Sequence, residues 1–197
     1  MANIGKISEF KSSIQKLVRP NLFYAELEGV SSLPLLTNGN TSTGITDIDD
    51  TFKFRCEVAE FPGRSVTTID DVGAGGPALK LPYDITYNDM NITIICAEDM
   101  TERILFELWL DYIVGSPQTK QDGYAGLVNF HANYARTSSM RIRQLNPQGD
   151  TIFWYRLHDV FPIAMTSMNA TWEETNTYQR FGVTLNYRYY TFGNTDK

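Results

Sequence analysis

Residues 52–61 read FKFRCEVAEF, with Phe52, Phe54, Cys56 and Val58 on one parity and Lys53, Arg55 and Glu57 on the other. Alternation with a period of two marks a strand with one dry face and one wet face. The dry face needs a core. The wet face needs a purpose, and the rest of the chain is read for it.

C-terminal to this strand, Pro62-Gly63 breaks the pattern and SVTTID at 65–70 reads as a short strand. VGAGGPALKLP at 72–82 is a glycine-rich loop. It lacks the Lys-Ser or Lys-Thr pair and the following helix of a phosphate cradle, so it reads as a flexible arm. YDITYNDMNITIICAE at 83–98 has two readings. A hairpin turning at Asn88-Asp89 would face Tyr87 with Met90, Ile85 with Ile92 and Tyr83 with Ile94, apolar on apolar. One strand entered through a bend fits the alternation equally well.

N-terminal to it, IGKISEFKSSIQKLV at 4–18 carries a helical stripe of Ile4, Ile7, Phe10, Ile14 and Leu17. NLFYAELE at 21–28 reads as a strand, and a loop insertion rich in Gly, Asn, Thr and Ser spans 29–50. Further on, Asp99 with Glu102 makes an acidic capping box. The helix it opens has an apolar face of Ile104, Leu105, Leu108, Trp109, Tyr112 and Ile113, and Gly115 closes it. A second polar, weakly patterned insertion occupies 116–138. MRIRQL, TIFWYRL and a Pro162-interrupted segment return to β. In TYQRFGVTLNYRYYTF at 177–192, Phe181, Val183, Leu185, Tyr187 and Tyr189 alternate with Arg180, Thr184, Asn186 and Arg188, and about fourteen residues of such alternation would make one strand of roughly 45 Å.

Composition sets the outer bounds. The 197 residues are 42% hydrophobic and 20% charged, enough for one substantial core in a single domain over 1–197, with 1–19 as an N-terminal helical arm. A formal charge of −6 argues against gripping nucleic acid, whose phosphates are held by lysine and arginine. Aromatics at 13% suit an aromatic core or an interface. No apolar run reaches the ~18 residues of a membrane span, and the N-terminus lacks a secretory apolar block, so a cytoplasmic protein is expected. There Cys56 and Cys96 are expected to be small buried hydrophobes rather than a disulfide.

Catalytic chemistry is missing. His131 and His158 have no Cys or carboxylate at a metal-ligand spacing, and no nucleophile elbow, HExxH or Walker sequence is present. The pairs Asp49-Asp50, Asp70-Asp71 and Glu173-Glu174 are expected to be solvated charge, even with Trp172 beside the last. Neither an enzyme nor a cofactor is expected. Residues alone give a mostly-β protein (α+β), an antiparallel sandwich or barrel with one flanking helix.

Several stretches resemble the tail tube proteins of contractile-tailed bacteriophages of the T-even type. RPNLFYAEL at 19–27 resembles that family's opening strand, and FKFRCEVAEFPG at 52–63 its second, including the Cys56 position. TERILFELWLDYIVG resembles the family helix at Arg103, Phe106, Trp109 and Gly115, and Trp172 followed by RFGVTLNYRYY its last strand. The insertions at 29–50 and 116–138 depart from shorter members.

The resemblance implies hexameric rings that stack into a hollow tube, each copy giving strands to an inter-subunit barrel around the channel. It implies a family-pattern core at Cys56, Phe106, Trp109, Trp172 and Phe181. It makes Thr86, Asn88, Asn91 and Thr93 candidates to line the lumen. The arm at Val72, Gly73, Gly75, Gly76 and Leu79 would cross to a neighbouring subunit or ring. Partners would be further copies, a sheath protein outside, a baseplate tube-initiator and a tail terminator at the ends, and DNA passing without specific binding; no membrane is involved. The protein would reside in the virion tail, assembled in the host cytoplasm. An inner tube of a type VI or phage-derived injection system is an alternative within the class. A β-sandwich carbohydrate-binding module, with Trp154, Trp172 and tyrosines as a stacking platform, is the alternative outside it.

Overall fold

The computed structural model describes residues 17–30, 55–72, 76–115, 128–172 and 177–194. The expected N-terminal helix, most of the 29–50 loop and residues 116–127 lie outside them. Ten strands are described: β1 (Phe23–Glu28), β2 (Cys56–Ala59), β3 (Arg64–Asp71), β4 (Leu79–Tyr87), β5 (Met90–Ile95), β6 (Ser139–Leu145), β7 (Thr151–His158), β8 (Phe161–Met165), β9 (Arg180–Asn186) and β10 (Tyr189–Asn194). The helices are α1 (Thr101–Val114) and the single turn α2 (His131–Tyr134). A first sheet runs β1-β6-β7-β10, a second β2-β5-β9-β8, and β3-β4 form a separate ribbon. Every pairing is antiparallel. Neither sheet closes on itself within one copy.

The long alternating segment at 177–192 is two strands, not one. β9 belongs to the second sheet and β10 to the first. The break falls at Tyr187-Arg188, where the Tyr187 side chain is buried and the Arg188 N–H donates to the His158 carbonyl at 3.0 Å. The β7–β8 segment switches sheets at the same place, through Asp159 at φ 55. Arg188 Nη1 lies 3.6 Å from Asp159 Oδ2, tying the two corners together. Strands that change sheets at a corner are one way a two-sheet stack is joined. Alternation is blind to such a corner, because the side-chain period continues across it.

Residues 83–98 take the bend, not the hairpin. β4 pairs with β3, whereas β5 pairs with β2 and β9. A two-residue hairpin turn of the favoured kinds needs positive φ at a central position, and neither Asn88 nor Asp89 has it. Instead the Asn88 N–H donates to the Gly63 carbonyl at 3.4 Å, where both strands of the ribbon leave the second sheet. The last part of the expected glycine-rich loop is strand as well, since β4 begins at Leu79.

One core cluster joins both sheets and α1. Leu105, Phe106, Trp109 and Ile113 of α1 are buried, and the Phe106 ring meets Phe181 edge-on at 6.1 Å. Trp109 Nε1 donates to the Tyr134 carbonyl at 2.9 Å. Tyr134, Ala135 and Ser138 are themselves buried, so the later part of the 116–138 segment belongs to the core rather than to a polar insertion. The helix start differs from the expected capping box. Met100 takes the cap position, the Thr101 N–H donates to Asp99 Oδ1 at 3.3 Å, and Glu102 accepts from the Ala97 N–H at 3.1 Å while pairing with Arg55. Gly115 ends the helix at φ 62, as expected.

Of the family-pattern core, Phe106, Trp109 and Phe181 are buried and Cys56 is partly buried and packed on the cluster. Cys56 and Cys96 are unpaired thiols, and burial pushes the Cys56 thiol up to about 12. Trp172 is a correction: its side chain is 102% exposed. It follows the exit of β8, an edge strand, and nothing among the described residues covers it.

Candidate functional site

The second sheet has a dry and a wet face set by period two. Met90, Ile92 and Ile94 of β5 and Phe181, Val183 and Leu185 of β9 are buried, so Asn91, Thr93, Thr184 and Asn186 face outward. Asn91 stands opposite Thr184, and Thr93 opposite Gly182. These groups satisfy one another sideways. Thr184 Oγ1 donates to Asn91 Oδ1 at 2.9 Å, and Asn91 Nδ2 donates to Glu60 Oε2 at 3.0 Å. Asn186 Nδ2 donates to Asp89 Oδ1 at 2.8 Å. Towards the far end of the sheet, Arg180 is engaged by Glu57 at 3.3 Å. The face is polar, and much of its hydrogen-bonding capacity is already used laterally.

Sequence candidates fall around this face unevenly. Asn91 and Thr93 are on it. Thr86 lies on the ribbon, its Oγ1 at 3.4 Å from that of Thr67. Its neighbour Tyr87 packs on Tyr187 and Tyr190 of the core side, so Thr86 turns the other way and continues the polar track. Asn88 is not on a strand face; it occupies the bend. Thr184, Asn186 and Glu60 were missed as site residues. Thr184 and Asn186 sit on the polar parity of 177–192, but only the β5–β9 register brings them beside Asn91.

The ribbon carries an apolar pair on each of its faces, because Val66 and Ile69 lie on opposite parities of β3. Val66 opposes Ile85 and Ile69 opposes Leu81, with Tyr83 as the extra residue of a bulge. Leu79, Leu81, Tyr83 and Ile85 recur with period two, and each is between 44% and 72% exposed. Of the arm candidates, Val72 and Leu79 flank the tip and are exposed. A Cβ on Gly76 would meet no atom within 4 Å. Gly73 and Gly75 lie outside the described residues.

The outward face of the first sheet has the opposite character. Arg141 and Arg156 pair with Glu28 at 3.3 and 2.8 Å, and Arg143 pairs with Glu26 at 3.3 Å. His158 lies on the same face, stacked on Tyr189 at 4.6 Å. Burial, then Arg156, hold its pKa below the ordinary 6.5, against the weaker upward pull of Asp159 and Glu28. The fold therefore prefers neutral imidazole, and the unfolded chain takes up the proton first as pH falls. Stability should decline as pH drops through and below 6.5. His158→Gln should flatten that part of the curve, read as urea midpoints from about pH 8 to 5. An unchanged slope would remove His158 from the acid response.

Among the described residues no cluster of three metal-ligating side chains occurs, and no helix is long and apolar enough to cross a membrane. The fold is shared with chains of contractile injection machines. The chain is similar to a chain of the anti-feeding prophage baseplate at a TM-score of 0.61 and 10% identity, covering 91% of this chain and 97% of that one. It is similar to a chain of the PVC extracellular contractile injection system, in the extended sheath–tube complex, at 0.55 and 15% identity, covering 94% and 97%. A chain of the anti-feeding prophage tube-terminating cap matches at 0.58 and 12%, covering 92% and 93%. No curated protein matches the sequence.

The profile described as phage tail tube protein matches residues 19–193, and the chain belongs to that family. It is a family of structural tail components rather than of enzymes.

Proposed function

We propose that copies of this chain join through the edges of the second sheet into hexameric rings, which stack as the inner tube of a T-even-type contractile phage tail and conduct DNA. The observation that carries this reading is the second sheet itself. Its polar face is laterally satisfied, and its edge strands β2 and β8 have a neighbour on one side only among the described residues. Four successive antiparallel strands leave the two edges running in opposite directions. β8 of one copy can therefore meet β2 of the next as another antiparallel pair, and closure removes the exposed edges. Tail sheath would lie outside, with the baseplate initiator and terminator at the ends.

Charge supports the second sheet as the wall of the bore. DNA carries about one charge per 1.7 Å, and arginines along its path would hold it by counterion release. The first sheet presents Arg141, Arg143 and Arg156 beside Glu26 and Glu28, whereas the second presents amides, hydroxyls, Glu60 and Asp89, with Arg180 engaged by Glu57 as its arginine. The second sheet is the face past which a polyanion slides. An injector carrying protein would use the same wall, a reading supported by the likeness to injection-system structures. Recovery of the tube in particles with a DNA-filled capsid separates the two.

Negative-stain microscopy of the purified protein tests the assembly. Rings with a central hole, or tubes of uniform width, are the expected result. A compact monomer at every concentration, with or without a baseplate template, overturns the reading.

A further inference from the structure

Two consecutive residues in the first turn of α1 each hold one edge of the second sheet. Glu102, buried, pairs with Arg55, the residue immediately before β2. Arg103 reaches the opposite edge. Its Nη1 donates to the carbonyl of Thr166, the residue immediately after β8, at 3.0 Å. Thr166 falls in the row of Gly182 and Thr93, and Cys56 in the next row with Phe181 and Ile94. The start of the helix therefore bridges the sheet from edge to edge at one level.

The grip on β8 changes the ladder itself. Regular antiparallel pairing would have Thr166 and Gly182 exchange two backbone bonds. The Thr166 N–H does donate to the Gly182 carbonyl at 2.9 Å, but the Gly182 N–H turns to Thr166 Oγ1 at 2.8 Å. The Thr166 carbonyl is thereby left for Arg103, and the ladder stops. A Cβ on Gly182 would come within 3.2 Å of Thr166 Cγ2, so glycine makes the room. Arg103 is itself held in place. Its Nε and Nη2 donate to Glu107 Oε1 at 3.1 and 2.8 Å, and its guanidinium lies 5.5 Å from the Phe181 ring centre.

Resting on the tube reading, we propose that Glu102 and Arg103 act as a yoke that fixes the two edges of the second sheet for copy-to-copy pairing. β8 needs such an anchor. It is five residues long, its register shifts between Pro162 and Ala164, and Pro162 has no N–H to give. The opposite edge, β2, is four residues long and shifts register between Cys56 and Val58. Short, irregular edges resist stray pairing, but they are also loosely held on their own sheet. Joining them to a second copy costs less when the ordering is already met inside each copy. The helix does not depend on these bonds for its seat, since Leu105, Phe106, Trp109 and Ile113 bury it. Glu102 and Arg103 are positioning residues, and closure of a ring from identical joints depends on them.

Arg103 carries the test, because Glu102 is buried and also accepts the Ala97 N–H. The measurement is the threshold concentration for tube formation, by pelleting, beside the Tm of the unassembled copy. Arg103→Met should fold as wild type by circular dichroism and raise the threshold roughly tenfold, the worth of one charged hydrogen bond per joint. Arg103→Lys, which can still donate to the Thr166 carbonyl, should recover part of that loss. Thr166→Val, at an exposed position, removes the Oγ1 acceptor and lets the ladder take back the carbonyl. It should raise the threshold too, and adding Arg103→Met to it should change little further, because both act on one carbonyl. Ile113→Val, a core substitution in the same helix, is the control for stability alone. An unchanged threshold in Arg103→Met overturns the proposal, and so does a rise no larger than Ile113→Val gives for the same loss of Tm. If the methionine variant does not fold, Thr166→Val decides, and its unchanged threshold overturns the proposal. If wild-type protein makes no rings or tubes, the tube reading itself fails, a result distinct from tubes whose threshold is indifferent to Arg103.

Discussion

Tubes of the Asn91→Lys, Thr93→Lys variant are expected to assemble, yet to retain double-stranded DNA that wild-type tubes let pass. Both positions face outward from the second sheet between buried Met90, Ile92 and Ile94, so the lysines need not disturb the core. Each copy then adds two cations to the bore wall, and every ring multiplies them. Six to ten phosphate contacts already change DNA affinity by about 10³–10⁵ between 50 and 200 mM salt. Genome delivery should therefore slow by orders of magnitude at low salt and recover as salt rises. The check is the ejection rate as a function of ionic strength. Thr191→Lys, on the wet face of the first sheet, is the matched control and should leave the rate unchanged. Unimpaired delivery by the double variant, with tubes intact, would remove Asn91 and Thr93 from the bore.

Trp109→Ala should be the most destabilising single substitution in the helix. Truncating a buried tryptophan costs about 3–5 kcal/mol through lost contacts and the cavity left behind. It also leaves the Tyr134 carbonyl without its 2.9 Å donor, loosening the 128–138 segment from α1. For a chain of this size each kcal/mol is worth roughly 2–4 °C in Tm, so a drop of roughly 6–20 °C is expected in a thermal scan. Trp109→Phe keeps most of the ring but not the N–H, and should lose only about 1–3 kcal/mol. Equal losses for the two variants would show that the hydrogen bond, not the ring, carries the site. A loss below about 1 kcal/mol for the alanine variant would contradict the core assignment.

How much of this was legible beforehand differs by element. The α1 stripe and its Gly115 stop needed only the 3.6-residue period, and the strands at 23–28, 56–59, 64–71 and 139–145 only alternation and breakers. That Asn91 and Thr93 face away from the core followed from the same parity. The hairpin at Asn88-Asp89 did not hold, because its apolar pairs are symmetric about the bend and so cannot distinguish reversal from passage. The single long strand at 177–192 failed for a related reason: parity survives the corner at Tyr187-Arg188. Trp172 is a core position only by the family resemblance, and its exposure in one copy is a tertiary property that neither parity nor resemblance carries.

Periodicity and composition thus determined the class of fold: two-faced strands packed with an amphipathic helix. These are local properties, fixed by which side of each element each residue occupies. Partnership was decided only by the tertiary structure. It set which strand lies beside which, that Arg141, Arg143 and Arg156 gather with Glu26 and Glu28 on one sheet, and that Asn91 stands opposite Thr184 on the other. The reason is physical: register and sheet order come from contacts between segments up to more than a hundred residues apart, such as Arg143 on Tyr24, and a one-dimensional pattern carries no information about them.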